Sequence, residues 1–317
     1  MQTTFEDIAR NGVKKETKKE RFLREMNAIV PWKEFEKILN KAYLKTSAVG
    51  RPQHQLNVML RMYFIQIWYS LSDPDTEDAL IENYSIRKFV GVGVDNVPDE
   101  TALCRFRHFL EQNNFQKKLF DLTQNLFEQK GVSVSNGKML DATIYHSPMS
   151  KRNAQGKRLT EASWTKKAGN YHFGEKSHIA VDTKTKLVIK HKTTLANVHD
   201  STVADELIDN NTTEVHADSG YLGIDKKSTR HIKYNIALRP SSVAKTKCPI
   251  LQELVHEQEY QKAKVRCRVE HIFLVIKHLF KHRKTRYRTL AKNDAHNDML
   301  YLSFNLHRLR KSGICLA

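Results

Sequence analysis

Three acids in this chain are placed where acids can work together. Asp141 lies in Met139-Leu140-Asp141-Ala142-Thr143-Ile144 and Asp218 in Val215-His216-Ala217-Asp218-Ser219-Gly220-Tyr221. Glu270 lies in Arg266-Cys267-Arg268-Val269-Glu270-His271-Ile272-Phe273-Leu274-Val275-Ile276-Lys277. The first two segments are apolar and strand-like, and each delivers an aspartate at a strand end. Carboxylates are hard oxygen donors that suit magnesium or manganese, and two such ions about 3.5 to 4 Å apart can activate a nucleophile and steady the leaving oxygen of a phosphodiester. Taken singly, each acid is ordinary. An aspartate after a strand is commonly a turn or cap residue, and an Arg-to-Glu pair four positions apart on a helix contributes only about 0.3 kcal/mol. It is the triple placement that points to a two-ion site, with Asp141 shared between the ions and Asp218 and Glu270 flanking.

The segment carrying Glu270 reads as a helix. At about 100° per residue, Val269, Ile272, Phe273, Ile276 and Phe280 gather on one face, while Arg266, Glu270 and Lys277 fall within roughly 40° of one another at its edge. That places Glu270 at a core boundary, facing a cleft. The elements before it change period after Gly137. Lys138 to Tyr145, Phe173 to Asp182 and Leu187 to Leu195 read as three strands, followed by a helix at Asp200 to Asp209 and a strand at Glu214 to Asp218. A helical stretch at Tyr221 to His231 and a strand at Asn235 to Leu238 complete the series before the Glu270 helix. This is the order of an RNase H-like α/β domain, a mixed five-stranded sheet (3-2-1-4-5) with flanking helices. Strands one and four are neighbours there, which lets Asp141 and Asp218 meet although they are far apart in sequence.

Upstream, the pattern is all helical. Residues 1 to 28 are polar, Phe35, Ile38, Leu39 and Ala42 keep helical spacing, and Gly50-Arg51-Pro52 punctuates. Leu56 to Tyr69 reads as a largely buried helix whose aromatics belong to a core. Asp73 and Asp75 offer alternative caps for the next helix. Asp99-Glu100 opens an amphipathic helix, and Phe115 to Gln129 forms one more. Arg105, Arg107 and His108, exposed on a short helix, would suit a helix-turn-helix-like DNA reader; a helical bundle with a basic rim fits the same residues equally.

Composition narrows the partner. The 317 residues carry 53 Lys+Arg against 35 Asp+Glu, a net charge of +18, which favours a polyanion. The basic stretch Lys277 to Arg288, with Lys281, Arg283, Lys284, Arg286 and Arg288, continues the Glu270 edge and suits phosphate contacts. Lys166, Lys167, His172, Lys176 and His178, around the second strand, form an opposite wall. Asn197, His199 and Asp200 fall where the third strand meets its helix. No run of about 18 apolar residues occurs and the N-terminus lacks an apolar signal core, so no membrane partner is expected. The four cysteines form no Cys-x-x-Cys pair, and neither a disulfide framework nor a zinc ribbon is signalled.

Several blocks, in order, carry a family likeness: Trp68-Tyr69-Ser70-Leu71-Ser72-Asp73, Phe106-Arg107-His108-Phe109-Leu110-Glu111-Gln112, Asp141-Ala142-Thr143-Ile144, His172-Phe173-Gly174 with Lys176 and His178, Ala217-Asp218-Ser219-Gly220-Tyr221, Arg266 to His271, and Leu290-Ala291-Lys292-Asn293-Asp294. From about Pro31 to its end the chain resembles bacterial insertion-sequence transposases of the DDE type, specifically the insertion sequence five family. The resemblance implies that Asp141, Asp218 and Glu270 are the metal-binding triad and that Arg266 and Lys277 match the Arg and Lys flanking the glutamate in related transposases. One departure is Ala263, where the wider group often places a tyrosine.

The expected protein has a helical DNA-binding region over residues 1–130 and an RNase H-like catalytic domain over 131–317 ending in basic helices. It would bind inverted terminal repeats and target DNA, pair as a homodimer in the synaptic complex, and act in the bacterial cytoplasm at the nucleoid. A stand-alone nuclease of the same fold, or a non-catalytic DNA-binding regulator derived from a transposase, are the rival readings.

Overall fold

The computed structural model describes residues 15–43, 53–148, 161–167, 169–227, 230–243 and 248–310. The expected break at Gly50-Arg51-Pro52, together with Lys14 and Cys315, lies outside them. The chain divides into two compact units, one running through Leu119 together with the segment from Asn305 onward, the other Phe120–Phe304.

The first unit is helical. Helix α1 (Lys18–Ile29) starts at a capping box between Thr17 and Glu20, and α2 (Trp32–Tyr43) follows after Pro31. Helix α3 (Leu56–Tyr69) is buried along nearly its whole length. Its Phe64 and Trp68 pack edge-on or tilted against Trp32 and each other, with ring centroids 5.3 Å apart in both pairs, so these aromatics are core. Helix α4 (Asp73–Glu82) is capped by Ser72 in a box with Asp75, with Pro74 in its first turn, so neither expected aspartate is the cap residue. Helix α5 (Tyr84–Val90) ends on Gly91 at φ 85°, a conformation that favours glycine. Helix α6 (Glu100–Gln112) begins at Asp99 as the sequence indicates, and α7 is Phe115–Gln129.

Arg107 corrects an expectation here. It is not on an exposed rim: it is buried on α6 and grips Asp73 with two parallel hydrogen bonds, Nη1 to Oδ1 at 2.6 Å and Nη2 to Oδ2 at 2.9 Å. Arg105, two residues earlier, points to the opposite side of the helix and is exposed.

The second unit is an α/β sheet of six strands: β1 (Gly137–His146), β2 (Ser163–Lys167), β3 (Asn170–Asp182), β4 (Val188–Leu195), β5 (Glu214–Ala217) and β6 (Lys233–Ile236). The order is β2-β3-β1-β5-β6, with β4 also paired to β3. Strand β3 is long enough for its first half to pair with β2 and its second half with β4, both antiparallel. With β2 set aside, this is the expected 3-2-1-4-5 order. The sixth strand is not legible in the sequence because β2 is short and alternates exposed Trp164 and Lys166 with half-buried Ser163 and Thr165, a pattern that signals no core.

One face of the sheet is apolar: Leu140, Ala180 and Val215 pack with Val203, Ala204 and Leu207 of α8 (Asp200–Leu207) and with Tyr221 and Ile224. Among the described residues helix α9 covers Ile224–Lys227, preceded by a 3-10 turn at Ser219–Tyr221; Ser228 and Thr229, within the helix expected from Tyr221 to His231, lie outside the described residues. The short α10 (Pro240–Val243) leads to α11 (Pro249–Arg266), a helix the apolar periodicity did not announce. The opposite face of the sheet mixes buried Met139, Ile179 and Val181 with polar groups that meet the final helix, α13 (Leu290–Arg310). Tyr301 meets Ser177 at 2.7 Å, Asn293 donates to Glu175 at 2.7 Å, and Asn297 donates to Thr193 at 2.9 Å, so these buried polar groups have partners.

The Glu270 segment is not one regular helix. A 3-10 turn at Cys267–Val269 leads into α12 (Glu270–Leu274), which relaxes into a π turn over Val275–Leu279. The basic stretch beyond it is not helical either. Lys281 takes φ 56°, Lys284 bridges to His146 in parallel, and Thr285 N donates to His146 O at 2.9 Å. Lys281, Arg283, Lys284 and Arg288 are exposed along this extended run, and Arg286 is half-buried.

Candidate active site

Strands β1 and β5 are parallel neighbours, and their last paired residues are Leu140 and Ala217. The next residue on each is Asp141 and Asp218, so two distant acids stand side by side; Asp218 leaves the end of β5, whereas Asp141, expected at a strand end, lies within β1, which runs on to His146 paired with β3. Asp141 accepts a hydrogen bond from Ala142 N at 2.8 Å. Burial pushes its carboxyl up to about 6; the Ala142 N–H opposes this, the Asp218 charge adds to it, and Arg266 and Lys167 pull the other way. Asp218 caps the 3-10 turn after β5, accepting from Gly220 N at 2.9 Å.

A third acid joins them. A Cβ added to Gly220 would lie 3.0 Å from Asp218 Oδ1 and 3.1 Å from Asp200 Oδ2, so both carboxylates crowd the same α-carbon. Lys176 Nζ holds Asp200 Oδ1 at 2.9 Å while also donating to Val198 O at 2.8 Å, and buried His178 places Nδ1 3.6 Å from that oxygen. Burial lowers His178 to about 4, which leaves it neutral near pH 7, with Nε2 against Thr194 Oγ1 at 2.9 Å. His199, not Asp200 or Asn197, caps α8, accepting from Ser201 N at 3.3 Å. Tyr221 is buried behind the cluster with no hydrogen-bond partner for its hydroxyl among the described residues. Burial, and then the charges of Asp200, Asp141 and Asp218, push its phenol well above the usual range. Asp200 and Tyr221 were visible only as members of their motifs, since no spacing rule assigns a role to either.

Glu270 stands apart from the aspartates. Its side chain is 64% exposed and its Oε1 is 3.9 Å from Arg266 Nη2. Among the described residues no three His, Cys, Asp or Glu side chains converge on one metal position. Arg266 and Lys277 do face the aspartates. The Arg266 charge is felt at Asp141, while Lys277 Nζ reaches Thr143 Oγ1 at 2.5 Å, on the strand that carries Asp141. Burial lowers the Lys277 ammonium, Lys167 lowers it further, and the Asp141 charge opposes both. Of the more distal cations, Arg283 turns back to Lys277 O at 3.0 Å and to His278 Nδ1 at 3.0 Å.

The donor chemistry fits a divalent cation in part. Two carboxylates, one buried and raised by its neighbour, gain from a cation that neutralises both, and hard oxygens are what magnesium takes. Glu270 supplies the right atom type from an exposed edge.

Residues 137–306 match a family model described as a transposase DDE domain, and residues 11–109 match one described as a transposase domain (DUF772). A solved structure titled a cryo-EM structure of the piggyBac transposase synaptic complex with hairpin DNA aligns over 93% of this chain and 74% of its own, at 10% identity and a TM-score of 0.44. Among the described residues no helix is long and apolar enough to cross a membrane.

Proposed function

The chain belongs to the transposase DDE domain family, and from that premise we propose that it is an insertion-sequence transposase of the insertion sequence five family, acting on the inverted terminal repeats of its own element. The observation that carries this reading is the register of β1 against β5, which sets Asp141, in mid-strand, beside Asp218 at the end of β5. In this reading Asp141, Asp218 and Glu270 would hold two divalent ions, magnesium or manganese. Such ions, when bound, lower the pKa of an attacking water and neutralise charge at the leaving oxygen.

The protein's own groups do the rest. Arg266 and Lys277, beside Asp141, grip phosphates flanking the scissile bond without reading bases. Lys281, Arg283, Lys284, Arg286 and Arg288 extend that phosphate track. Water oxygen attacks phosphorus as the P–O3′ bond breaks, leaving a 5′-phosphate and a free 3′-hydroxyl. That hydroxyl then attacks a target phosphate in line, exchanging one P–O bond for another. Residues 1–130, with Arg105 exposed, select the terminal repeat, because a cleft that also accepts arbitrary target DNA cannot do so. Two ends must be joined at one place, which calls for a homodimer.

A terminal-repeat duplex incubated with the protein, magnesium and a supercoiled target tests the reading. Strand cleavage followed by joined product is expected. Cut DNA released without joining would instead identify a nuclease, and repeat-specific binding without cleavage a regulator.

A further inference from the structure

The hairpin of β2 and β3 has its faces reversed. Cross-strand pairing sets Trp164 opposite Phe173 and Lys166 opposite Tyr171, so these four side chains share one face. That face looks outward: Trp164 is 47% and Tyr171 69% exposed. Trp164 leans on Phe173 with centroids 5.3 Å apart, and Lys166 Nζ lies 5.4 Å from the centre of the Tyr171 ring. The other face carries Ser163, Thr165 and His172, all half-buried, and Ser163 Oγ fastens it to Asn197 Oδ1 at 3.0 Å. A ribbon folded for stability would turn its rings inward and its hydroxyls out. Here the apolar area left in water contributes nothing to the fold, which marks a surface built for a partner.

Position and charge indicate which partner. Lys167 belongs to the same strand as Trp164, and its charge acts at both Asp141 and Lys277, so the ribbon borders the carboxylate cleft. Reading a duplex groove calls for Asn, Gln or Arg aimed at base edges. Exposed rings interleaved with lysines suit instead the flat faces of unstacked bases and the phosphates between them. We propose that the β2–β3 ribbon is a stacking platform for the unpaired bases of a DNA strand leaving the cleft, with Trp164 and Tyr171 as the contact rings. The assignment rests on the transposase reading for its choice of nucleic acid.

Fluorescence tests it directly. Trp32 and Trp68 are 8% and 2% exposed, so among the three tryptophans Trp164 is the one a ligand can reach. The full-length protein is titrated, without divalent metal, with a single-stranded thymidine oligomer and with a blunt duplex of equal length. The single strand is expected to quench tryptophan emission and the duplex to leave it unchanged. Trp164→Phe should lose the signal while keeping the affinity. Trp164→Ala and Tyr171→Ala should each weaken single-strand binding by roughly tenfold and leave duplex binding and the circular dichroism spectrum unchanged. Equal responses to both DNA forms, or full single-strand affinity in Trp164→Ala, overturn the proposal. So does an emission change with protein concentration alone, with a doubled mass lost in Trp164→Ala, which would make this face a contact between copies. No strand is cut in these titrations, so a failed quench leaves the transposase reading intact, and a failed cleavage assay leaves the platform intact.

Discussion

Asp200 and Asp218 press on the same α-carbon, that of Gly220, where an added methyl group would meet Oδ2 of one at 3.1 Å and Oδ1 of the other at 3.0 Å. Gly220 does not take a positive φ, so alanine suits the backbone and would even reduce unfolded-state entropy. Its cost falls on the position of the two carboxylates. Gly220→Ala is therefore expected to lower strand cleavage by about a hundredfold, the scale of a misplaced catalytic group, while thermal stability changes little. A melting curve beside a cleavage time course checks it; unchanged cleavage would show that Asp218 need not hold this position.

Arg107 and Arg105 should separate cleanly. Removing one partner of a buried ion pair leaves the other charge stranded, so Arg107→Ala is expected to reduce stability by about 3 kcal/mol without altering the salt dependence of DNA binding. Arg105→Ala should leave stability unchanged and narrow the difference in affinity between repeat and scrambled duplexes. Urea melts and mobility shifts measure the two effects.

These two arginines show where the sequence was legible and where it was not. Helix α6 and its Asp99 cap follow from local chemistry, yet the fate of Arg107 depended on Asp73 arriving from another helix. The sheet order followed from element order, and with it the meeting of Asp141 and Asp218. Strand β2 was hidden because its alternation faces the wrong way for a core. The Glu270 segment kept helical spacing, but spacing cannot distinguish α from 3-10 and π geometry, which differ by one hydrogen-bond step. Asp200 and Gly220 meet across a crossover, a proximity that no local rule contains.

His191 offers a pH prediction. It is buried between the rings of Phe120 and Tyr301, with Nε2 2.8 Å from Asp298 and Nδ1 3.5 Å from Asp294. Burial alone would lower it, but the two aspartates more than offset that and raise it to about 9. Because the folded value lies above the unfolded one near 6.5, the stabilisation is complete below about pH 6.5 and is lost as pH rises through about 9. Unfolding free energy should fall by on the order of 3 kcal/mol across that window, and His191→Gln should flatten the fall. A profile equally steep in the variant would assign the loss to other groups.

Among the described residues Arg266 has one weak ion-pair partner, Glu270 at 3.9 Å; it is half-buried and its charge acts on Asp141. Arg266→Ala is expected to reduce the slope of log affinity against log salt by about one, equally for repeat and random duplexes, as loss of a single phosphate contact does. Lys277→Ala should do the same and also cost some stability, since it loses the bond to Thr143. An unchanged slope with a clearly lower melting temperature would make either residue structural.

In the proposed mechanism Asp141, Asp218 and Glu270 act as one metal-binding set. The most direct measurement is magnesium-dependent nicking of a terminal-repeat duplex by Asp141→Asn, Asp218→Asn and Glu270→Gln, each checked for folding and DNA binding. All three are expected to bind the duplex like the parent protein and to cut it at background rate. Parental cutting by Glu270→Gln, with both aspartate variants inactive, would contradict the three-carboxylate site and leave the adjacent aspartates to hold the metal without it.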